Sequence, residues 1–317
     1  MENIHIMKKV IVLGSTGSLG IQTLKLLKKH KKHFQLVGIL ANSNEKLLMG
    51  QAKDFDGIKT ALSSKHEKLQ LEHSDIIINL ISGIAGIKPS KEALKKNKLL
   101  LLANKESVVA AQLSHPNIIP LDSEHNAIFE ILQNHRDKKI KKIWLPCSGG
   151  PFYERKSLKN ITPEEALKHP KWKMGPKISV ESATLINKGL EIIEAHHLFS
   201  LPLNKIKTFY NPECKIHGIV EFADAAYAYY GKPNMEEHIE NALLRAISKT
   251  PRTIIKKIQT KNLKSLSQRL LKGIALVLKA FKKDPGKMQK FLKKEERIIN
   301  KFLDKKIQFE DIFKLLG

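Results

Sequence analysis

The chain has 317 residues, 42% hydrophobic and 27% charged, which is length enough for two domains or for one large domain with an appendage. No uninterrupted apolar run is long enough to cross a bilayer, and two cysteines, Cys147 and Cys214, are too few for a disulfide framework or a multi-cysteine metal site, so the chain reads as a cytoplasmic globular protein without a membrane partner. The net charge of +25 admits nucleic acid, an anionic membrane face or small anionic substrates, but the lysines are scattered and the aromatic residues, at 6%, do not interleave with them as a base-stacking platform requires; the excess charge reads as a solvated lysine-rich surface rather than a nucleic-acid site.

Lys8 and Lys9 precede an apolar run that is too short for a secretion signal and meets glycine at once, so Lys9 to Leu13 reads as a buried first strand. Gly14-Ser15-Thr16-Gly17-Ser18-Leu19-Gly20 follows, then a helical pattern from Ile21 to Lys29. In that strand–turn–helix context the glycines allow a tight turn and close approach of the backbone to a pyrophosphate. A second strand runs from Phe34 to Leu40. Ala41-Asn42-Ser43-Asn44-Glu45-Lys46 after it supplies small polar groups and a lysine, which leave room for a 2′-phosphate and favour NADP over NAD; Glu45 is the acid in that turn. Asp75–Leu80 and Leu99–Leu102 read as strands, Ser90–Lys98 as a helix and Ile118–Leu121 as a further extended run. Nearly continuous apolar strands between helices predict a parallel sheet covered on both faces, and the first domain ends near Leu121.

Polar clusters follow. Ala103-Asn104-Lys105-Glu106-Ser107 sits just after a strand, where ligands bind in open α/β sheets. In Asp122-Ser123-Glu124-His125-Asn126 an extended chain would project Asp122 and Glu124 to one side, as metal ligands require; an acid-rich helix start is the alternative. Ser148-Gly149-Gly150-Pro151-Phe152, after a strand from Ile140 to Leu145, suits an anion or simply a tight turn. Thr162–Lys177, with His169, Trp172, Met174 and Gly175 among its prolines, reads either as a loop that closes over a ligand or as a surface loop anchored by Trp172. Glu181 to Glu191 reads as a helix start with Ser182 as N-cap, Asn187 and Glu191 on one face and Lys188 alongside. Such a start can take a phosphate, and Glu191 a divalent metal; an ordinary capped surface helix is the plainer reading. Lys215–Glu221 and Ala225–Tyr230 alternate like paired strands, Glu236–Lys249 is helical, 251–262 reads as a linker, and Leu263–Gly317 as helical with a break at Asp284-Pro285-Gly286.

Taken in order and spacing, Gly14–Gly20, Ala103–Ser107, Asp122–Asn126, Ser148–Phe152, His169–Gly175 and Ser182–Glu191 resemble the 1-deoxy-D-xylulose 5-phosphate reductoisomerase family, over nearly the whole chain and least between Asn44 and Glu72 and after Met235. The resemblance implies an α/β fold with a Rossmann-like NADPH-binding domain (1–121), a central α+β catalytic and dimerisation domain (122–250), a linker (251–262) and a small C-terminal helical domain (263–317). It implies isomerisation and NADPH-dependent reduction of 1-deoxyxylulose 5-phosphate, a small phosphorylated sugar, to 2-C-methylerythritol 4-phosphate with Mg²⁺, Mn²⁺ or Co²⁺, in a homodimer. Carried over by motif, Asp122, Glu124 and Glu191 are the metal carboxylates, and Lys105 lies near the reacting oxygens. Ser148, Ser182, Asn187 and Lys188 form the phosphate pocket. Ser123 contacts substrate, and His169 and Trp172 belong to the lid. Gly14, Thr16, Gly17, Ser18, Leu19, Asn44, Asn104, Glu106, Met174, Gly175 and Met235 face the cofactor.

The chain departs from the family pattern in several places. The turn after the second strand has no basic residue until Lys46, and Glu181 stands for an aspartate. Asn211-Pro212-Glu213-Cys214 stands for His-Pro-Gln-Ser, Asn234 for an aspartate, and Lys293–Arg297 for an Asn-Ala-Ala-Asn-Glu helix start. None of these removes a metal ligand or a phosphate contact. Two other readings compete: a Rossmann dehydrogenase of the aspartate-semialdehyde type with Cys147 as nucleophile, and a catalytically impaired homologue that binds nucleic acid through its charge.

Overall fold

The computed structural model describes residues 7–172, 174–268 and 271–317. The apolar run inside β1 (Lys8–Leu13) is buried from Val10 onward. The chain continues through α1 (Ser18–Lys29), β2 (Phe34–Ala41), α2 (Glu45–Ala52), β3 (Lys59–Leu62), β4 (Ile76–Asn79), α3 (Ile87–Lys95), β5 (Leu99–Leu102), α4 (Lys105–Ala111), β6 (Ile118–Pro120) and α5 (Ser123–Gln133). These six strands pair in parallel in the order β3-β2-β1-β4-β5-β6. That is the dinucleotide-binding order, in which ligands lie beyond the carboxyl ends of the strands where the order reverses. Gly14 adopts φ +89°, and a Cβ there would stand 3.0 Å from the backbone carbonyl of Leu80. A methyl at Gly20 would overlap the carbonyls of Gly14 and Ser15, so the turn and the start of α1 can pack this tightly only with glycine.

The segment least legible in the sequence contains two elements. α2 is two turns long and β3 has four residues; β3 is fixed by pairing with β2, Gly38 opposite Lys59 and Ala41 opposite Leu62, rather than by a strong local pattern. α3 starts at Ile87, before the expected Ser90, because a 3₁₀ turn at Gly83–Gly86 runs straight into it.

The remaining elements are β7 (Ile140–Cys147), α6 (Pro163–Ala166), α7 (Pro176–Ala183), α8 (Ile186–Leu198), β8 (Ile206–Tyr210), β9 (Ile216–Phe222), β10 (Ala226–Tyr230), α9 (Glu236–Ala246), β11 (Ile254–Ile258), α10 (Leu271–Lys283), α11 (Met288–Leu303) and α12 (Phe309–Leu316). A second sheet has the order β11-β10-β9-β7-β8, in which β7 and β8 are parallel and the other neighbours antiparallel. The stretch read as a linker therefore holds a strand: β11 pairs with β10, Ile258 opposite Ala226. Lys256 and Lys257 disguise it, and lysines are a usual device on the edge strand of a sheet.

Two compact units emerge. One comprises the chain to Ser107, His115–Asn126 and Met235–Arg252; the other comprises Val108–Ser114, Ala127–Asn234 and Thr253–Gly317. The C-terminal helices thus cluster with the second sheet. In the first unit α9 is pinned to α1 by Lys25–Glu236 at 3.0 Å, Lys29–Glu240 at 2.8 Å and His30–Glu240 at 2.6 Å. In the second, α8 is buried from Lys188 to Ala195 and packs on α10. Among the described residues, no helix is long and apolar enough to cross a membrane.

The α8–α10 contact rests on two glycines. A Cβ on Gly189 would meet Val277 at 2.8 Å, and a methyl on Gly273 would overlap the carbonyl oxygen of Thr184. Gly273→Ala is expected to lower the urea midpoint by an amount equivalent to about 1–3 kcal/mol, the usual cost of overpacking. Gly50→Ala in α2, where nothing lies within 4 Å, should instead raise stability by roughly 0.5–1 kcal/mol. Equal effects of the two substitutions would contradict this account of the contact.

Candidate active site

At the rim of the first sheet, α1 begins after Gly17 with no side chain capping it, so its first N–H groups face the glycine turn. Gly17 and Ser18 are exposed, and Thr16 and Leu19 half-buried. A backbone cradle at an uncapped helix start fits a dinucleotide pyrophosphate. Asn44 caps α2, its Oδ1 accepting the Leu47 N–H at 3.1 Å.

The turn after β5 is tied to the turn after β4 by a buried polar net. Asn104 Nδ2 donates to the carbonyls of Ile81 (2.8 Å) and Gly83 (2.7 Å) and to Glu106 (3.2 Å), while its Oδ1 accepts from Ser107 N at 2.7 Å. Ser90 and Asn79 extend the net. Asn104, expected to face the cofactor, therefore spends its side chain on holding this loop, and Glu106 is buried beside it.

Next in the chain, Lys105 is buried with its Nζ 3.1 Å from Asp122 Oδ2. Asp122 is not in extended chain with Glu124. It caps α5, Oδ1 accepting from Glu124 N at 3.4 Å, because Ser123 and Glu124 already form the helix's first turn. The acid-rich helix start is the arrangement that occurs. Ser123 bonds the Glu124 carboxylate, and His125, buried, lies 3.6 Å from Asp122. Burial alone would raise the Asp122 carboxyl; the Lys105 charge and the His125 and Glu124 contacts outweigh it and hold the group well below the usual carboxylate range. His125, inside the Asp122–Asn126 motif, is thus a second group holding Asp122 ionised, a role its sequence position does not announce.

The second unit gathers a different set. Gly149 and Gly150, at φ +87° and +67°, turn the chain after β7. A Cβ on Gly150 would stand 3.0 Å from the carbonyl of Ser182, so the Ser148 turn lies against the end of α7. Ser182 is thus inside α7 and is not an N-cap. Gly175 and Pro176 start that helix, and Leu185, in the left-handed region at φ 56° and ψ 16°, breaks it before α8. In α8, Asn187 and Lys188 both bond the Glu191 carboxylate, on the face their spacing predicts; Lys188 and Glu191 are buried.

Ser148 Oγ lies 3.0 Å from His169 Nε2 and accepts from Gly150 N at 3.3 Å. His169 Nδ1 accepts from the N–H groups of Lys171 (3.2 Å) and Trp172 (3.0 Å). Nδ1 is therefore bare, and Nε2–H donates to Ser148, leaving the Ser148 proton to be given elsewhere. Burial lowers the His169 pKa to about 4, in keeping with that neutral ring. Trp172, half-buried, meets His217 edge-on at 6.3 Å. Met174 and Gly175 follow in this loop, and Met235 precedes α9 in the first unit. Cys147 sits buried in the core at the end of β7, packed among apolar side chains, which speaks against reading it as an activated nucleophile.

A parallel six-stranded sheet with a glycine cradle, joined in one chain to a unit carrying a buried lysine–carboxylate helix, defines a dinucleotide-binding α/β protein of the oxidoreductase class. The signature of 1-deoxy-D-xylulose 5-phosphate reductoisomerase matches residues 10–74 and 58–112, and that of the same family's C-terminal domain matches 118–199. The enzyme of that name from Aquifex aeolicus is 36% identical over 340 residues, covering 97% of this chain and 89% of its own; that of Clostridium perfringens is 42% identical over 274 residues, covering 75% and 71%. Among solved structures, the Zymomonas mobilis reductoisomerase in complex with NADPH superimposes with a TM-score of 0.80 at 30% identity, over 98% of this chain and 90% of that one. A reductoisomerase in complex with NADPH, fosmidomycin and magnesium gives 0.77 at 27% identity, over 98% and 88%. The chain belongs to the 1-deoxy-D-xylulose 5-phosphate reductoisomerase family.

The His169 contacts fix a pH dependence. The native pKa of about 4 lies below the ordinary 6.5, so the native state binds fewer protons between those values. Stabilisation of the 169–172 turn is complete above about pH 6.5 and is lost as pH falls towards 4. The expected result is that, of the histidine resonances titrating near pH 4, the one lost in His169→Gln is accompanied by a Trp172 fluorescence change over the same range that is lost with it; His197, also lowered to about 4 by burial, should remain. A His169 midpoint at or above 6.5 would refute the assigned tautomer.

Proposed function

We propose that the protein converts 1-deoxy-D-xylulose 5-phosphate to 2-C-methyl-D-erythritol 4-phosphate with NADPH and a divalent cation, in the non-mevalonate route to isoprenoids. The observation that carries this reading is the near full-length relationship to reductoisomerases together with the glycine cradle and the buried lysine–carboxylate pairs. The aspartate-semialdehyde reading is not favoured by it.

The residues divide the work as follows. Gly14, Thr16, Gly17, Ser18 and Leu19 receive the cofactor's pyrophosphate. Asn104 places the loop that carries Glu106, and Asn44 fixes the start of α2. Met174, Gly175 and Met235 complete the nicotinamide side. Asp122, Glu124 and Glu191 are the oxygen donors for Mg²⁺ or Mn²⁺, a hard-ligand set suited to such ions. When bound, the cation supplies Lewis-acid polarisation of the substrate oxygens and NADPH supplies hydride. Lys105 keeps Asp122 ionised and can hold or pass a proton at its Nζ. Ser148, through the hydroxyl proton that His169 leaves to it, joins Ser182, Asn187 and Lys188 on the substrate phosphate, and Ser123 orients a substrate oxygen. Binding that remote phosphate supplies energy for orienting the reacting end and for closing Trp172 over it. We further propose a cytoplasmic homodimer, with 1–121 as the nucleotide domain, 122–250 as the catalytic and dimerisation domain, and 263–317 as the helical domain.

The test is direct. Purified protein with 1-deoxyxylulose 5-phosphate, NADPH and Mg²⁺ or Mn²⁺ should consume the reduced-nicotinamide absorbance, and should stop when the metal is chelated. Glu191→Gln, checked for folding by circular dichroism, is expected to lower turnover by at least about a hundredfold, as expected when a charge-stabilising group is removed. Folded wild-type protein that turns over with neither metal would refute the reading. Steep salt-dependent binding to RNA in its place would favour the impaired homologue.

A further inference from the structure

The carboxyl ends of β1, β2 and β3 form one continuous rim. Gly14 N and Ser15 N donate to the carbonyl of Leu40 at 2.7 and 3.0 Å, which sets the glycine turn against the end of β2. Ala41 pairs with Leu62, and beyond that pair the two following turns are laced together: Ser64 N donates to Asn42 O at 3.1 Å, and Ser63 Oγ to Asn42 Oδ1 at 3.1 Å. In a dinucleotide sheet the adenosine ribose comes to the end of β2, where an acidic side chain selects a free 2′-hydroxyl and a cationic one accepts a 2′-phosphate. This rim carries both kinds: the acids Glu45 and Glu67, the latter accepting from the Leu62 N–H at 2.7 Å, and the cations Lys46 and Lys65. Glu45 opens α2, and Lys65, from the turn after β3, places its Nζ 2.8 and 2.9 Å from the two Glu45 carboxylate oxygens.

We propose that Lys65 is the residue that recognises the 2′-phosphate of NADPH, with Glu45 as the counter-ion that holds it when the nucleotide is absent. The inference rests on the NADPH reading given above. Both side chains are about half exposed, 53% and 56%, and an exposed pair of this kind contributes little, so it yields readily to a stronger anion. A phosphate monoester brings close to two negative charges and three acceptor oxygens. The Ser63 hydroxyl and the Asn42 amide stand in the same two turns to bond those oxygens. Lys46 is the other cation near the end of β2. It is the neighbour of Glu45 in α2, and adjacent helical residues point about 100° apart, so it does not share the face on which Glu45 meets Lys65. The cation for the 2′-phosphate is thereby displaced from the turn after the second strand to the turn after the third.

Isothermal titration of the full chain with adenosine 2′,5′-bisphosphate and with 5′-AMP separates the phosphate contribution from the rest of the nucleotide without requiring turnover. Wild-type protein should prefer the bisphosphate. Lys65→Met should weaken bisphosphate binding by about tenfold, the scale of one charge-assisted contact, and leave 5′-AMP unchanged. Glu45→Gln should tighten the bisphosphate and also leave 5′-AMP unchanged. A wild-type preference that survives Lys65→Met, or that is removed by Lys46→Met instead, overturns the inference alone. A wild-type protein with no preference overturns the NADPH reading on which it rests.

Discussion

The second unit depends on how closely α10 approaches the break between α7 and α8. Gly273 brings its Cα against the carbonyl of Thr184, at a point where any side chain would collide with backbone. That contact backs Leu185, whose left-handed conformation costs a non-glycine residue about 1–2 kcal/mol. An unbroken helix would space Ser182 and Lys188 about 9 Å apart along one axis. The break ends α7 at Ser182's own turn, where the Ser148–Gly150 turn lies against it, and starts α8 so that Lys188 and Glu191 are buried together. Packing thus stores the cost of a local strain, and the strain places the polar groups.

Each unit also buries a lysine against a carboxylate: Lys105 with Asp122 in the first, Lys188 with Glu191 in the second. Burying such a pair costs desolvation that mutual attraction often fails to recover, and an apolar pair of similar volume would commonly serve stability as well or better. These pairs make sense where the carboxylate must be present as an anion. For Asp122 the effect is explicit: the ammonium and the histidine beside it outweigh burial and keep the carboxyl ionised. A cation arriving at such a group need not first displace a proton from it.

The fold was legible where one signal dominated. Val10–Leu13 followed by Gly14 and Gly20 announces the first strand and its turn, because backbone crowding there admits only glycine. The parallel strands β2, β4, β5 and β6, with their dense apolar runs, could be read in the same way, and β9 with β10 by alternation. What escaped was set by partners distant in sequence. β3 exists through its pairing with β2, and β11 hides two lysines on a sheet edge. The break at Leu185 escaped because no residue type there announces it: leucine is an ordinary helix former, and α10, some ninety residues later, is what holds it. In the candidate site, Lys188 and Glu191 were visible from helical spacing alone. The tautomer of His169 was not, since it follows from two backbone donors in a loop.

Two departures from the family pattern, Glu181 and the 293–297 helix segment, meet at one place in the structure. Lys177 in α7 bonds Glu181 one turn on and stands 3.5 Å from Glu295 of α11. Glu181 and Glu295 are both buried, at 3% and 0% exposure, and Lys177 is at 22%. The extra methylene of a glutamate at 181 lets its carboxylate reach a lysine at the i−4 position, a spacing that aspartate spans less well. Having drawn in the ammonium, that carboxylate sets the charge beside which Glu295 packs. Residues far apart along the chain are therefore parts of one ion network. The network ties α7, the helix whose last turn carries Ser182, to α11.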